Sequence, residues 1–229
     1  MLNNEILEHM NKNELKEYFV QYGRKVKIEK ELDLCSPKLT DSYVYYLDQG
    51  IVSLTAITDE GEEKIFLYFK ENRILGFAPV LTRFFGLSRH KGEVFGIDPK
   101  TDCVFYKMEE KVFNKLLREN REFMIRVMEN ITFNYADLVN KHYEMKGNSA
   151  GQRFCKCLLE FSIQEGDMRC VPKSFTYVEI AKYLGIHPVT VSKMAAVLRE
   201  KQIIQKTARG IEILNIKELT QMAEIPWSF

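Results

Sequence analysis

The sequence predicts an α+β chain with a small antiparallel barrel or jelly roll, one long helix, and a second, mainly helical domain. Short runs rich in β-branched and aromatic residues fill positions 24–108, and apolar residues at helical spacing follow them. A two-helix pattern then stands at 176–200. We therefore expect a first domain at 1–120, a long helix at 121–146 and a second domain at 148–229.

The first domain should begin with a helix and continue as strands. Residues 3–20 have an amphipathic pattern, and the strand-like runs after them are RKVKIEKE, YVYYLDQGIVSLTAI, KIFLYF, ILGF, EVFGI and CVFYKM. Gly50 separates two of these runs at a bend, and Asp59-Glu60-Gly61 has the composition of a hairpin turn. Six to eight short strands separated by turns are typical of a small antiparallel barrel or jelly roll.

The long helix carries an apolar stripe whose members alternate steps of four and three residues. They are Met124, Met128, Ile131, Tyr135, Leu138, His142 and Met145. Three heptads of this kind predict a seam against another helix, most simply the same helix of a second subunit, so we expect a homodimer. The alternative is that the helix lies wholly on its own domain.

The second domain opens with a helix that Ser149 and Gln152 should cap and that should reach about Gln164. A second capping pair, Thr176 and Glu179, starts a short helix that ends at Gly185, where the chain must reverse. Pro188 suits the first position of the next helix because its missing N–H would have no partner there. Together these signals predict a helix-turn-helix.

The second helix of this motif presents a mostly short, weakly polar face with one cation, at the outward positions His187, Pro188, Val189, Ser192, Lys193 and Ala196. Such a face fits the major groove of DNA, where it can touch base edges and thymine methyl groups. The alternative is an ordinary helical hairpin inside a core.

A small hairpin, or wing, is predicted after this helix, in the run IIQKTARGIEIL. Its tip carries Lys206 and Arg209, which either contact DNA phosphates or are solvated turn charges.

Composition adds weaker constraints. Residues 148–229 hold 11 Lys and Arg against 8 Asp and Glu, and residues 1–147 hold 22 against 24, so the positive excess lies in the second domain. No apolar run is long enough for a membrane span, and the charged N-terminus does not match a signal peptide, so we expect a cytoplasmic protein.

Five cysteines without C-x-x-C spacing indicate reduced, packed thiols, and we predict no metal site and no cofactor. The sequence has no G-x-S-x-G, H-E-x-x-H or G-x-x-x-x-G-K motif, so we do not expect an enzyme. Haem is not excluded, since His9, His90, His142 and His187 remain, but no motif marks any of them as a ligand.

A β-roll, one long helix and a winged helix-turn-helix together resemble the CRP/FNR family of bacterial transcription regulators. TYVEIAKYLGIHPVTVSK is the part that most resembles the family. The resemblance implies a cyclic-nucleotide-binding type of roll, a dimer on a palindromic operator, and RNA polymerase as a partner. It also implies that Thr176 and Thr190 contact phosphates and that Val189, Ser192 and Lys193 read bases. Many relatives have an acidic residue at Val189 and an arginine at Lys193, so the half-site should differ.

The region that binds the effector departs from the cyclic-nucleotide pattern of that family. Phe77 follows Gly76 where relatives have a glutamate for the ribose hydroxyl, and Glu93-Val94 stands in place of the pair that holds the phosphate. A phosphate buried beside a glutamate would be repelled, so cyclic AMP is not the expected effector. The cysteine cluster of iron–sulfur members is also absent, because only Cys35 precedes the roll.

An organic effector, aromatic or lipid-like, or a direct stress signal remains the expectation, sensed between the roll and the long helix. HPVTVSK also resembles the recognition helix of halorespiration regulators, although Phe77 and Asn134 replace lysines found there. The candidate lining residues are Tyr68, Phe77, Phe95, Asn134 and Tyr135. The alternatives are that these aromatic residues simply fill the roll, and that the chain is an effector-independent regulator or a protein-interaction module.

Overall fold

The structure is a computed structural model that describes residues 14–29, 42–57, 63–87, 95–166 and 168–227. Helices α1 to α8 lie at Glu14–Tyr22, Phe77–Phe84, Glu110–Glu119, Arg121–Gly147, Ala150–Phe161, Tyr177–Leu184, Pro188–Glu200 and Ile216–Glu224. Strands β1 to β11 lie at Arg24–Ile28, Tyr43–Gln49, Val52–Ile57, Glu63–Phe69, Arg73–Leu75, Phe95–Pro99, Cys103–Glu109, Ile163–Glu165, Met168–Pro172, Ile204–Lys206 and Gly210–Ile213.

The described residues form two compact units, and helix α4 and strand β4 contribute residues to both. The first unit contains the residues before 64 together with 68–137, and the second contains 64–67 and the residues from 138 onward. The division therefore falls inside helix α4, between Asp137 and Leu138.

Two antiparallel sheets form the strand framework of the first unit, which confirms the predicted α+β fold with an N-terminal roll. One sheet has the order β1-β7-β2-β5 and the other the order β4-β3-β6. Tyr46 pairs with Tyr106 on one side and with Ile74 on the other, so β2 lies inside its sheet and β5 at an edge. Gly50, with a φ of 99°, separates β2 from β3 where the sequence predicts a bend.

A single apolar cluster joins the helices of the first unit to one face of the first sheet. Its buried members are Leu15, Phe19, Val44, Tyr46, Ile74, Val80, Met108, Phe113, Phe123 and Val127. They come from α1 to α4 and from β2, β5 and β7. The cluster explains the alternation in β2, because Val44 and Tyr46 face the helices while Tyr45 and Leu47 point to the other side of the sheet, where they are also buried.

Several details of the first unit differ from the sequence prediction. The run ILGF is not wholly a strand: β5 ends at Leu75, Gly76 takes a left-handed conformation, and Phe77 begins α2. Helix α3 is also absent from the prediction. Residues 3–13 of the predicted first helix, Cys35, and the turn at Asp59-Glu60-Gly61 lie outside the described residues.

Two asparagines of α4 bind the open edge of β5. The Asn130 side chain accepts a hydrogen bond from Ile74 N at 2.9 Å and donates one to Asn72 O at 2.9 Å. Asn134 Nδ2 donates to Ile74 O at 3.1 Å. Each asparagine is only 8% exposed. These amides satisfy edge groups that would otherwise be buried without partners, and so fix the position of α4 along the strand.

Helices α5 and α8 pack on each other in the second unit. The capping box predicted at Ser149 and Gln152 is present, and Gln152 Nε2 also donates to Glu224 O at 2.9 Å. The Trp227 ring lies so close to Gly151 that an added Cβ would stand 2.6 Å from it. A residue larger than glycine would therefore displace the indole ring.

Strands in the second unit are more numerous than predicted. Helix α5 ends at Phe161 rather than near Gln164, because Ile163 enters β8. Strands β8 and β9 form a hairpin, and the predicted wing, β10 and β11, joins it to give the sheet order β10-β11-β9-β8. The wing is thus the outer half of a four-stranded sheet.

The described cysteines Cys103, Cys155, Cys157 and Cys170 are buried with free thiols, as predicted for packed residues. Burial raises the pKa of Cys103 to about 11 and that of Cys155 to about 12, which keeps both thiols protonated near neutral pH. None of the helices in the described ranges combines the length and apolar character needed to cross a lipid bilayer.

The contacts of Asn130 predict a large effect of its removal. Asn130→Ala should lower the free energy of unfolding by about 2–4 kcal/mol, because it leaves a buried N–H and a buried carbonyl of the 72–74 segment without partners. Urea denaturation would measure this loss. Asn140→Ala, at an exposed position of the same helix, is the matched control and should change stability by less than about 0.5 kcal/mol. Equal stabilities of the two variants would show that the hydrogen bonds of Asn130 to the 72–74 segment do not stabilise the fold.

Candidate DNA-binding site

Local hydrogen bonds set the ends of helix α6. At its start, Thr176 Oγ1 accepts from Glu179 N at 3.2 Å, which is the threonine half of the predicted capping pair. At its end, Gly185 has a φ of 63°, and Ile186 N donates back to Ala181 O at 3.1 Å. Arg153 Nη1 donates to the Leu184 carbonyl at 3.0 Å, so helix α5 supports the turn from below. The predicted turn is confirmed.

Helices α6 and α7 cross on a shared apolar core. Its buried members include Ile180, Ala181, Leu184, Val191, Met194 and Leu198. The two helices can approach closely because Ala181 and Ala195 are small and almost fully buried. This arrangement is the predicted helix-turn-helix, and it fixes which face of α7 points outward.

His187 caps the start of helix α7. Its Nδ1 accepts a hydrogen bond from Val189 N at 3.2 Å, and Pro188 occupies the first helical position. Thr190 N donates to the His187 carbonyl at 2.9 Å. The sequence prediction placed His187 on the outward face but did not recognise it as the cap of this helix.

The outward face of α7 carries the residues predicted to read bases. Val189 is 54% exposed, and Ser192 and Lys193 are exposed one turn further on. Thr190 is half-buried at the edge of this face. A short apolar side chain, a hydroxyl and one cation therefore stand together on a helix that the rest of the unit holds rigidly.

The wing lies beside the start of α6. Gly210 in β11 pairs with Pro172 in β9, the strand that leads towards α6. Lys206 Nζ lies 5.5 Å from the centroid of the Tyr177 ring, in the first turn of α6. Lys206 and Arg209 are both exposed. This arrangement brings the two wing cations to the same end of the unit as Thr176, the predicted phosphate contact.

The last turns of α4 pack on the helix-turn-helix within the second unit. Lys141 Nζ lies 3.1 Å from the centroid of the Tyr183 ring in α6, and Tyr183 Oη donates to Glu160 Oε2 at 3.4 Å. Glu144 also pairs with Lys156 of α5 at 3.0 Å. Burial lowers the pKa of Lys141 to about 8. The end of the long helix is thus part of the frame that holds α6.

The predicted seam residues are mostly exposed. Tyr135 is 67% exposed and Met128 57%, and Met124, Leu138, His142 and Met145 are exposed as well. Ile131 differs from the others, because it is half-buried and packs partly on the apolar cluster of its own unit. Ile125, Val139 and Tyr143 extend the exposed apolar surface to the side away from Ile131. A single-chain fold leaves this surface uncovered.

The predicted effector residues whose side chains the structure describes have separate surroundings. Asn134 binds the backbone of β5, Phe77 packs on the helix side of the first sheet, and Tyr135 points into solvent. Tyr68 is buried in β4. Phe95 belongs to β6, but its side chain lies outside the described residues, as do Glu93 and Val94.

Comparison with known sequences also indicates a helix-turn-helix regulator. Residues 152–222 match the model of the Crp-like helix-turn-helix domain. The chain is 21% identical to the fumarate and nitrate reduction regulatory protein of Vibrio cholerae serotype O1 over 94% of its own length and 85% of that protein. Residues 152–222 therefore form a Crp-like helix-turn-helix domain, and the chain is similar to regulators of the CRP/FNR type over most of its length. The global nitrogen regulator of Synechococcus elongatus is 22% identical over 78% of this chain and 80% of that protein.

Solved structures of CRP/FNR regulators share the fold. A CRP/FNR-family transcriptional regulator from Thermus thermophilus matches with a TM-score of 0.69 at 16% identity, over 89% of this chain and all of the other. CprK complexed with OCPA matches with a TM-score of 0.60 at 20% identity, over 92% of this chain and 93% of the other. At these identities the likeness establishes the fold.

The buried amine of Lys141 should make stability depend on pH. Its pKa of about 8 in the folded chain is below the ordinary 10.5, so between these pH values the unfolded chain binds a proton that the folded chain has released. Compared with Lys141→Met, the wild type should therefore gain about 1–3 kcal/mol of unfolding free energy as pH rises from 7 to 10.

Urea denaturation of both proteins across this pH range measures the difference directly, and groups that titrate equally in both cancel. Lys146→Met, at an exposed position of the same helix, is the matched control. A pH-independent difference in stability between wild type and Lys141→Met would show that Lys141 remains charged in the folded chain.

Proposed function

We propose that this CRP/FNR regulator acts as a homodimer that reads a palindromic operator with helix α7. The exposed set of Val189, Ser192 and Lys193, beside the wing cations Lys206 and Arg209, is the observation that carries the proposal. Thr176, His187 and Thr190 border this set and would contact the backbone or base edges. Selection of bound sequences from a randomised DNA library would test it, with half-site centres about 10 base pairs apart or a multiple of this spacing expected.

The exposed surface of α4 supports the dimer. Met124, Met128, Tyr135 and Leu138 are exposed apolar residues in the alternating steps of a helix-to-helix seam. A monomeric protein rarely leaves such a stripe uncovered along a helix of 27 residues. A second copy of α4 carries the same stripe and can cover it by two-fold symmetry, which would also pair the two recognition helices on one face of DNA.

For the effector, we propose an aromatic or other small organic molecule rather than cyclic AMP. Phe77 stands in place of the acidic residue that the cyclic-nucleotide pattern requires, and it packs into an apolar cluster. Asn134 Oδ1 is buried and has no hydrogen-bond partner among the described residues, so a ligand with one N–H or O–H donor would find an acceptor there.

RNA polymerase is the further partner that this class of regulator implies.

An effector-independent regulator is the second candidate, and the clamp of Asn130 and Asn134 on β5 favours it. With these bonds the long helix is held in register on the roll without any ligand. A thermal-shift screen with aromatic acids and other metabolites separates the candidates, because a ligand of the native state raises the melting temperature with its concentration. A protein-interaction module would show neither a ligand shift nor a selected DNA sequence.

The seam assignment predicts that a charge at Met128 separates the subunits. Met128→Glu would bury an unpaired carboxylate in both subunits of the dimer, yet the side chain is exposed in the single chain, so the monomer should fold. Light scattering should give a monomer mass, and operator affinity should fall at least 100-fold. Asn140→Glu, an exposed position on another side of the same helix, is the control and should remain a dimer. A dimer mass for Met128→Glu would contradict the seam.

Val189 should determine one base pair of each half-site. Its side chain offers only apolar contact, best met by a thymine methyl, whereas Val189→Glu can accept a hydrogen bond from cytosine N4. The variant should shift preference at that position towards C·G by about 1–3 kcal/mol and leave the others unchanged.

Lys193→Ala provides the contrasting case. If Lys193 meets a phosphate, its removal should weaken binding to all sequences and reduce the slope of log affinity against log salt by about one. Selected sequences for the three proteins would test both roles. An unchanged preference for Val189→Glu would show that Val189 does not face the bases.

A further inference from the structure

Every amide in the first turn of helix α7 is used within the chain. Pro188 has no N–H, and Thr190 N and Val191 N both donate to the His187 carbonyl, at 2.9 and 3.4 Å. Val189 N donates to His187 Nδ1 at 3.2 Å. Helix starts commonly hold phosphate through such amides, but here none of the first four helical positions has one to offer.

The cap also determines where the imidazole carries its proton. A nitrogen that accepts a hydrogen bond from a backbone N–H has no hydrogen of its own, so Nδ1 is unprotonated. The single N–H of the neutral ring is therefore at Nε2, on the side away from the helix backbone. His187 is exposed, and it stands next to Val189 on the proposed DNA-contact face. The cap thus converts an amide donor into a side-chain donor that reaches further outward.

We propose that His187 Nε2–H is the hydrogen-bond donor that the start of the recognition helix gives to DNA, with the Nδ1 cap holding the ring in this tautomer. The proposal rests on the proposed function, since it assumes that α7 meets DNA. Its ligand is a hydrogen-bond acceptor of the duplex, either a phosphate oxygen or an acceptor on a base edge such as purine N7 or thymine O4. His187 is then both a positioning residue and a contact residue.

Two substitutions separate the two nitrogens. In His187→Asn the side-chain oxygen can stand where Nδ1 stands and keep the cap, but the side chain ends short of Nε2. In His187→Gln the amide nitrogen can reach the place of Nε2, but glutamine is a poor cap residue. The cap and the DNA contact should therefore be lost one at a time, and His187→Ala should lose both.

We expect opposite patterns in melting temperature and in affinity for the operator selected by the wild type. His187→Asn should melt within about 1 °C of wild type and bind about five- to tenfold more weakly. His187→Gln should melt about 2–4 °C lower and bind within about twofold of wild type at a temperature where it is folded. Nitrogen-15 NMR of the free wild type should show the Nε2–H tautomer.

The selected sequence identifies the acceptor. A base contact should relax the preference at one base pair in His187→Asn, whereas a phosphate contact should weaken all sequences equally. Wild-type affinity in His187→Asn, or an Nδ1–H tautomer in the free wild type, would overturn the proposal. Wild type that selects no DNA sequence would instead overturn the proposed function, so the two failures are distinguishable.

Discussion

The left-handed turn at Gly185 is the constraint on which the geometry of the DNA-binding unit depends. An added Cβ would meet only Met145 Cε, at 3.4 Å, so the need for glycine comes from its φ of 63° rather than from lack of space. This turn sets the angle at which α7 leaves α6, and with it the burial of Val191 and Met194. Because that face is fixed inward, Val189 and Lys193 must point outward. The exposed face of α7 is therefore a consequence of backbone conformation one turn earlier.

Local signals explain why the helix-turn-helix could be predicted almost residue by residue. Thr176 and Glu179, Gly185 and Pro188 each act within four residues of their own position, so the chain needs no distant partner to define them. The strands of the first unit were predictable for a similar reason, since alternation and turn residues are local. Ser149 and Gln152 belong to the same class, and the structure contains their reciprocal hydrogen bonds.

Features that depend on distant contacts were missed or placed wrongly. Nothing in the sequence around Asn134 distinguishes an asparagine that binds the backbone of β5, 60 residues earlier, from one that lines a pocket. The three residues of β8 have too weak a strand propensity to be predicted alone, and they form a strand because β9 pairs with them. His187 was predicted to face DNA, but its role as the helix cap depends on the orientation of the imidazole ring, which the sequence does not reveal. Phe77 was assigned to a strand because a left-handed Gly76 cannot be inferred from composition.

Contact between α5 and the segment after α8 has a consequence for how fast the second unit opens. Gln152 binds Glu224 across 72 residues of chain, and Trp227 covers Gly151, so both contacts close a loop that spans most of the unit. Closing a loop of this length costs chain entropy that local helices do not pay, so we expect these contacts to form late in folding. Contacts that form after the transition state govern the rate of unfolding rather than the rate of folding. We therefore expect the packing of the Trp227 ring on Gly151 to slow the unfolding of the DNA-binding unit and so to set the lifetime of its folded state.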